Sequence, residues 1–171
     1  MLLQTMSPPR TVTLRQVTAS DAQFLVQLFA STRAHELALM PIAAAQKDAL
    51  MQMQSRAQEM HYRHAFPDAD YAVVEVDGVP AGRLYVNRAP HEIRLIEITL
   101  LSPWRGQGVG SRLLTGLLEE ARSDAKTVVL RVAPLNPARA LYEQLGFVVS
   151  ALPDDEPSIY RSMRWSPPSH S

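Results

Sequence analysis

The stretch "SPWRGQGVGSRLL" (102–114) places three glycines in five positions and then runs straight into an apolar helical pattern. Glycine gives up side-chain contacts and costs backbone entropy, so three together need a reason. The main-chain N–H groups of a helix's first turn have no internal partner, and the helix dipole adds partial positive charge there. Stripping Cβ atoms from that turn lets an anion settle onto the amides, and a pyrophosphate fits such a cradle. A nucleotide P-loop ends in Gly-Lys-Ser/Thr, and "GVGSR" has no such lysine. A dinucleotide turn is Gly-x-Gly-x-x-Gly with an acid about 20 residues on. Here the third glycine comes one place early, position 111 is Ser, and the next strand ends in "VAPL".

Outward from this turn the chain reads as one domain. "TVTLRQV" (11–17) alternates like a strand, and "TASDAQFLVQLFAST" offers a capping serine or aspartate before an apolar helix. A second helix is predicted over 43–64, its stripe Ala49, Met53, Ala57 and Met60 turned to the core. "YAVVEVDGVPAGRLYVNR" (71–88) reads as a hairpin turning at Asp77-Gly78, and 91–101 as a further strand. A helix follows over 108–122, with Val109, Leu113, Leu114, Leu117 and Leu118 facing inward. Strand 126–135, helix 136–146, a strand opening at "FVVS" and a last strand over 158–165 complete the pattern. This order predicts an α/β (α+β) fold, a mixed sheet with helices on both faces. The expected domain spans 11–165, with an N-terminal extension at 1–10 and a loose polar tail at 166–171.

Composition narrows the function. Seventeen basic and seventeen acidic residues cancel, so the basic footprint of a nucleic-acid binder is missing. There is no cysteine, which removes disulfides, thiolate catalysis and zinc–sulfur sites. No apolar run reaches the length of a membrane span, and the start lacks the pattern of a signal peptide. The expectation is a soluble cytoplasmic protein. No metal is expected: His61 and His64 share a helix face, but no carboxylate or third histidine joins them.

"RGQGVG" (105–110) on a strand-to-helix turn resembles the Arg/Gln-x-x-Gly-x-Gly/Ala signature of the GNAT N-acetyltransferase superfamily, and "LNPARALYEQLGF" (135–147) resembles its second motif. The pair, in this order, is similar to the compact single-domain bacterial members. The resemblance implies a mostly antiparallel sheet whose central parallel strands splay, and acetyl-CoA as cosubstrate. It implies that amides across Gly106, Gln107, Gly108, Val109, Gly110 and Ser111 hold the pyrophosphate. Arg105 then sits beside phosphate, or else forms a surface ion pair. The pantetheine arm lies along Ile98, Thr99 and Leu100, with the Leu100 amide facing the thioester oxygen. Asn136 bonds that arm, caps its helix, or does both.

The implied reaction is acetyl transfer to a primary amine of a small molecule or peptide, by direct attack. Glu97 is the candidate base; strand alternation groups it with Ile93, Leu95 and Thr99, and its other reading is an ion pair with Arg83 or Arg131. Tyr142 matches the family's general acid, or else is a core tyrosine on the stripe of Ala138, Leu141 and Leu145. Gly146 ends its helix in the left-handed conformation. On the acceptor side the resemblance brings in Arg33, His35, Glu36, Tyr62, His64 and Tyr85. A non-catalytic CoA-binding module is the alternative: it keeps the glycine turn without needing Tyr142 or Glu97. The strand at 158–165 offers an edge through which a homodimer pairs.

Overall fold

The structure, a computed structural model, describes residues 9–153, 155 and 158–169. Residues 1–8 of the N-terminal extension and 170–171 of the tail lie outside them. Among the described residues seven strands form one sheet: β1 (Val12–Gln16), β2 (Asp70–Val76), β3 (Val79–Arg88), β4 (Glu92–Leu100), β5 (Thr127–Val132), β6 (Val148–Val149) and β7 (Arg161–Trp165). Their spatial order is β1-β2-β3-β4-β5-β7-β6, with β4 and β5 parallel and every other neighbouring pair antiparallel. The helices are α1 (Ala22–Ser31), α2 (Ala34–Leu39), α3 (Ala44–Ala65), α4 (Val109–Ser123) and α5 (Ala138–Gln144). The mixed, mostly antiparallel sheet expected from the sequence is therefore present.

The local chemistry explains the elements. Asp77 (φ 51°) and Gly78 (φ 79°) both take the left-handed conformation that a two-residue hairpin turn requires between β2 and β3. The apolar face of α4 buries Val109, Leu114, Leu117 and Leu118 against Leu84, Val86 and their neighbours in the sheet. Leu113 packs half-buried on the same cluster. Each fully buried Leu contributes about 1.5–3 kcal/mol relative to exposure.

The opposite face corrects one expectation. The stripe Ala49, Met53, Ala57 and Met60 of α3 faces solvent; Met53 is 62% and Met60 72% exposed. The face turned to the sheet instead buries Met51 and Ser55 and half-buries Gln58, Glu59 and Tyr62. Gln58, Glu59 and Tyr62 are satisfied by the sheet beneath them. Arg83 of β3 donates to Glu59 at 2.7 Å and Gln58 at 3.0 Å, and the Tyr85 hydroxyl donates to both Glu59 oxygens. A buried network with most of its hydrogen bonds made substitutes for apolar packing, so the hydrophobic period points the wrong way.

The α1 entry carries a testable stabilising contact. The Asp21 carboxylate accepts the Thr18 main-chain N–H at 2.7 Å and two N–H groups of Arg15 at 2.8 and 2.9 Å. The Arg15 hydrogen bonds first, then the Thr18 N–H, outweigh burial and hold this carboxyl down at about 2. A depressed carboxylate contributes its full stability above its unfolded value and loses it as pH falls through the folded one. Asp21→Asn should cost about 1–2 kcal/mol at pH 7, the range for losing a helix-entry cap. In urea unfolding the gap to the parent should close as pH drops from about 4 towards 2.

Two features of the sheet frame the site. The β4–β5 pairing runs from Glu92–Thr127 to Leu95–Leu130 and stops there, although β4 continues to Leu100. The strands splay beyond that point. The strand expected over 158–165 begins at Arg161 and lies between β5 and β6, so both its edges are used; the free edge on that side belongs to β6. No helix among the described residues is long and apolar enough to cross a membrane.

Candidate active site

Beyond β4 a short 3₁₀ turn (Ser102–Trp104) leads to Gly106 (φ 71°) and Gly108 (φ 79°), and α4 starts at Val109. Both glycines occupy the left-handed region, where a Cβ costs about 1–2 kcal/mol. Arg105 N donates to Ser102 O, and the next main-chain donor with a partner is Arg112 N, to Gly108 O. Among the described residues, the six amides of 106–111 donate to nothing. The Gln107 side chain folds back onto Pro103 O at 2.6 Å, so the turn presents bare backbone. A Cβ on Gly108 would stand in open space: its backbone angle, not crowding, requires glycine.

Arg105 has no carboxylate partner among the described residues. Its Nε donates to Leu100 O at 2.8 Å, and one terminal nitrogen reaches Ser31 Oγ at 3.5 Å. That contact also orients the β4 edge. Leu101 N donates to Ala81 O on β3, so by strand alternation the Leu100 and Ile98 amides point the other way, to the edge that β5 has left. Thr99 presents to β3: a Cβ on Gly82 would lie 2.2 Å from Thr99 O, which is why β3 carries glycine there.

The register slips between β3 and β4. Tyr85 pairs Glu97 while Val86 pairs Leu95, leaving Ile96 as an extra residue. Such a bulge reverses side-chain alternation downstream. The simple parity that grouped Glu97 with Ile93 and Leu95 therefore fails: those two join the α4-side core with Ile98 and Leu100, and Glu97 and Thr99 face α3.

A cavity of about 430 Å³ occupies the splay. Ile96, Glu97 and Ile98 line it from β4, Leu130 and Arg131 from β5, and Asn136 and Tyr142 from beyond β5. Two expected reacting groups, Glu97 and Tyr142, thus share one cavity. Glu97 accepts the Tyr62 hydroxyl at 2.8 Å on one oxygen and the Thr99 hydroxyl at 2.6 Å on the other. Arg83 approaches only to 3.9 Å, being committed to Glu59, and Arg131 pairs with Asp155 at 3.0 Å. Of the two ion pairs expected for Glu97, the one with Arg83 is present as a long contact.

Tyr142 is 5% exposed and packs edge-on to Phe147. Among the described residues its hydroxyl bonds nothing. Burial, helped by the negative charge of Glu97, pushes this phenol up to about 12, so it stays protonated at neutral pH. Burial and the same carboxylate also push the Tyr62 phenol well above its usual range. Asn136 Oδ1 accepts the Ala138 N–H at 2.9 Å, a helix-entry contact, while the residue also lines the cavity. Gly146 (φ 99°) follows α5 in the left-handed conformation.

On the acceptor side Arg33 and Tyr62 line the cavity; His35, Glu36 and His64 are exposed away from it, and Tyr85 is fully buried against Glu59. Sequence reasoning missed Phe29, Gln58, His61, Arg94 and Tyr160, which also line it. Gln58, His61 and Tyr62 stand at i, i+3 and i+4 on α3, a polar stripe that a search for apolar periodicity passes over. Among the described residues no group of three or more His, Asp or Glu is placed to hold a metal ion.

The sequence model of the Acetyltransferase (GNAT) family matches residues 39–147. The chain belongs to this family. No curated protein sequence matches it. Among solved structures, this GNAT chain resembles the PaiA N-acetyltransferase from Thermoplasma acidophilum in complex with coenzyme A (TM-score 0.63, 14% identity, covering 91% of this chain and 99% of that one). It also resembles Ard1 from Thermoplasma volcanium (TM-score 0.61, 20% identity, 92% and 99%). An acetyltransferase from Thermus thermophilus gives a TM-score of 0.61 at 17% identity, covering 91% and 97%. GNAT enzymes use acetyl-CoA, and the residues present suit it: six unpartnered amides for a pyrophosphate, and an open strand edge for an amide-bearing arm.

Proposed function

We propose that this GNAT acetyltransferase transfers the acetyl group of acetyl-CoA to a primary amine of a small molecule or peptide, by direct attack in a ternary complex. The observation that carries this reading is the cavity in the β4–β5 splay, which joins Glu97 and Tyr142 beside the open edge of β4. Acetyl-CoA supplies an activated thioester. The amides of 106–111 hold its pyrophosphate, and the outward amides of Ile98 and Leu100 bond its arm and the thioester oxygen. Asn136 adds its side-chain amide to that arm.

Proton movement falls to two side chains. An aliphatic amine with a pKa of about 10.4 is over three units too protonated at pH 7, a handicap of about 4–5 kcal/mol. Glu97, held by two hydroxyls, accepts that proton directly or through a water. Tyr142, kept protonated, donates to the departing sulfur. With no cysteine in the chain, no thiolate is available to carry the acetyl group.

Incubation with acetyl-CoA and a panel of polyamines, amino acids and peptides, read by thiol release, tests the proposal. Amine-dependent release is expected. CoA binding with no turnover on any amine would contradict it and favour a binding module.

A further inference from the structure

Among the described residues, two buried side-chain polar atoms lack a hydrogen-bond partner: Nε of Arg33 and Nε of Arg83. Both residues line the cavity beside Glu97. Buried donors are nearly always satisfied in folded proteins, so these two mark guanidiniums whose hydrogen bonding the described residues leave incomplete.

The two arginines differ in how committed they are. Arg83 has 2% of its side chain exposed and spends its terminal nitrogens on Glu59 and Gln58. Arg33 sits at the turn between α1 and α2, its guanidinium stacked over the Phe29 ring at 4.8 Å. Stacking uses the face of a guanidinium and leaves its edge of N–H donors available. The one carboxylate Arg33 meets among the described residues is Glu36, at 3.4 Å and 65% exposed to solvent, which is a weak hold. Two further guanidiniums line the cavity: Arg94, beside Glu92 at 3.8 Å, and Arg131, beside Asp155 at 3.0 Å. Those acids lie outside the lining, and among the described residues Glu97 is the one carboxylate within it.

Among the described residues the site thus offers one acid for a cation and, on Arg33, an underused guanidinium edge for an anion. We infer that the acceptor is a small amino-carboxylate, an amine that also bears a carboxylate, and that Arg33 binds the carboxylate while Glu97 receives the amine. A guanidinium edge and a carboxylate form paired, charge-assisted hydrogen bonds, which is the ligand chemistry a weakly held arginine selects. A polyamine places its second ammonium against guanidiniums instead and is disfavoured. This inference rests on the proposed transfer to an amine at Glu97.

The test is acetylation of L-amino acids and ω-amino acids, each paired with its own carboxamide, with spermidine alongside, by the parent enzyme and Arg33→Met. For the best acceptor, kcat/KM should exceed that of its carboxamide at least tenfold. Arg33→Met should erase that preference, chiefly by raising KM for the carboxylate. The half-exposed position lets folding be checked by melting temperature. Turnover with equal rates on acid and carboxamide, best turnover on spermidine, or an equal loss on both members of a pair in Arg33→Met would overturn the inference and leave amine acetylation standing. No turnover on any amine would overturn both.

Discussion

Glu97→Gln should lower kcat at pH 7 by about 100- to 1,000-fold, within the range expected for removing a positioned general base. The expectation carries a pH signature. Without a base the variant can use only acceptor that is already deprotonated, a fraction that rises about tenfold per pH unit up to the amine's own pKa near 10. The deficit should therefore shrink steeply between pH 7 and pH 9.5. A structural role predicts otherwise. If Glu97 served only to tie Tyr62 of α3 to Thr99 of β4, the loss would be constant with pH and would appear as a lower melting temperature.

Tyr142→Phe should lower kcat by about 100-fold or more, again the scale of general-acid assistance. It should do so without lowering stability, because the hydroxyl bonds no described residue and the ring keeps its packing on Phe147. CoA affinity should stay within twofold of the parent. Since the phenol lies at about 12, the parent's rate should show no loss from tyrosine ionisation below pH 10. A variant with full turnover would assign Tyr142 to the core alone.

What the sequence made legible was whatever main chain and local period decide. The glycines at 106, 108 and 110, the hairpin at Asp77-Gly78 and the inward leucines of α4 each follow from short-range rules, and each element appears within one to three residues of its expected place. The parts that were not legible depend on long-range polar pairing. Arg83, Glu59 and Tyr85 satisfy one another across the α3–sheet interface, so α3 buries a polar face and leaves Met53 and Met60 in solvent. The extra residue at Ile96 is likewise set by pairing with β3, and one inserted residue was enough to move Glu97 from the face its parity predicts. His61 reaches the cavity from α3, remote in sequence from both motifs, and Arg33, from the turn before α2, was reachable only through the family resemblance. Neither carries a spacing that announces it.

The order of β7 inside the sheet has the same origin. A strand's neighbours are not written in its own residues, and 161–165 reads equally well as an edge or an interior strand. The β4–β5 splay was reachable only through the family resemblance. Its consequence, two main-chain donors on an unpaired edge next to six more at the start of α4, joins the two halves of the site.

The rest of the site depends on that row of free amides, and titration calorimetry with CoA is its sharpest test. Saturable binding at one CoA per chain is expected, weakened at least tenfold in a folded Gly108→Val variant, where a branched side chain strains the left-handed turn that presents the amides. Absence of binding heat in the parent, or unchanged affinity in the variant, would contradict it.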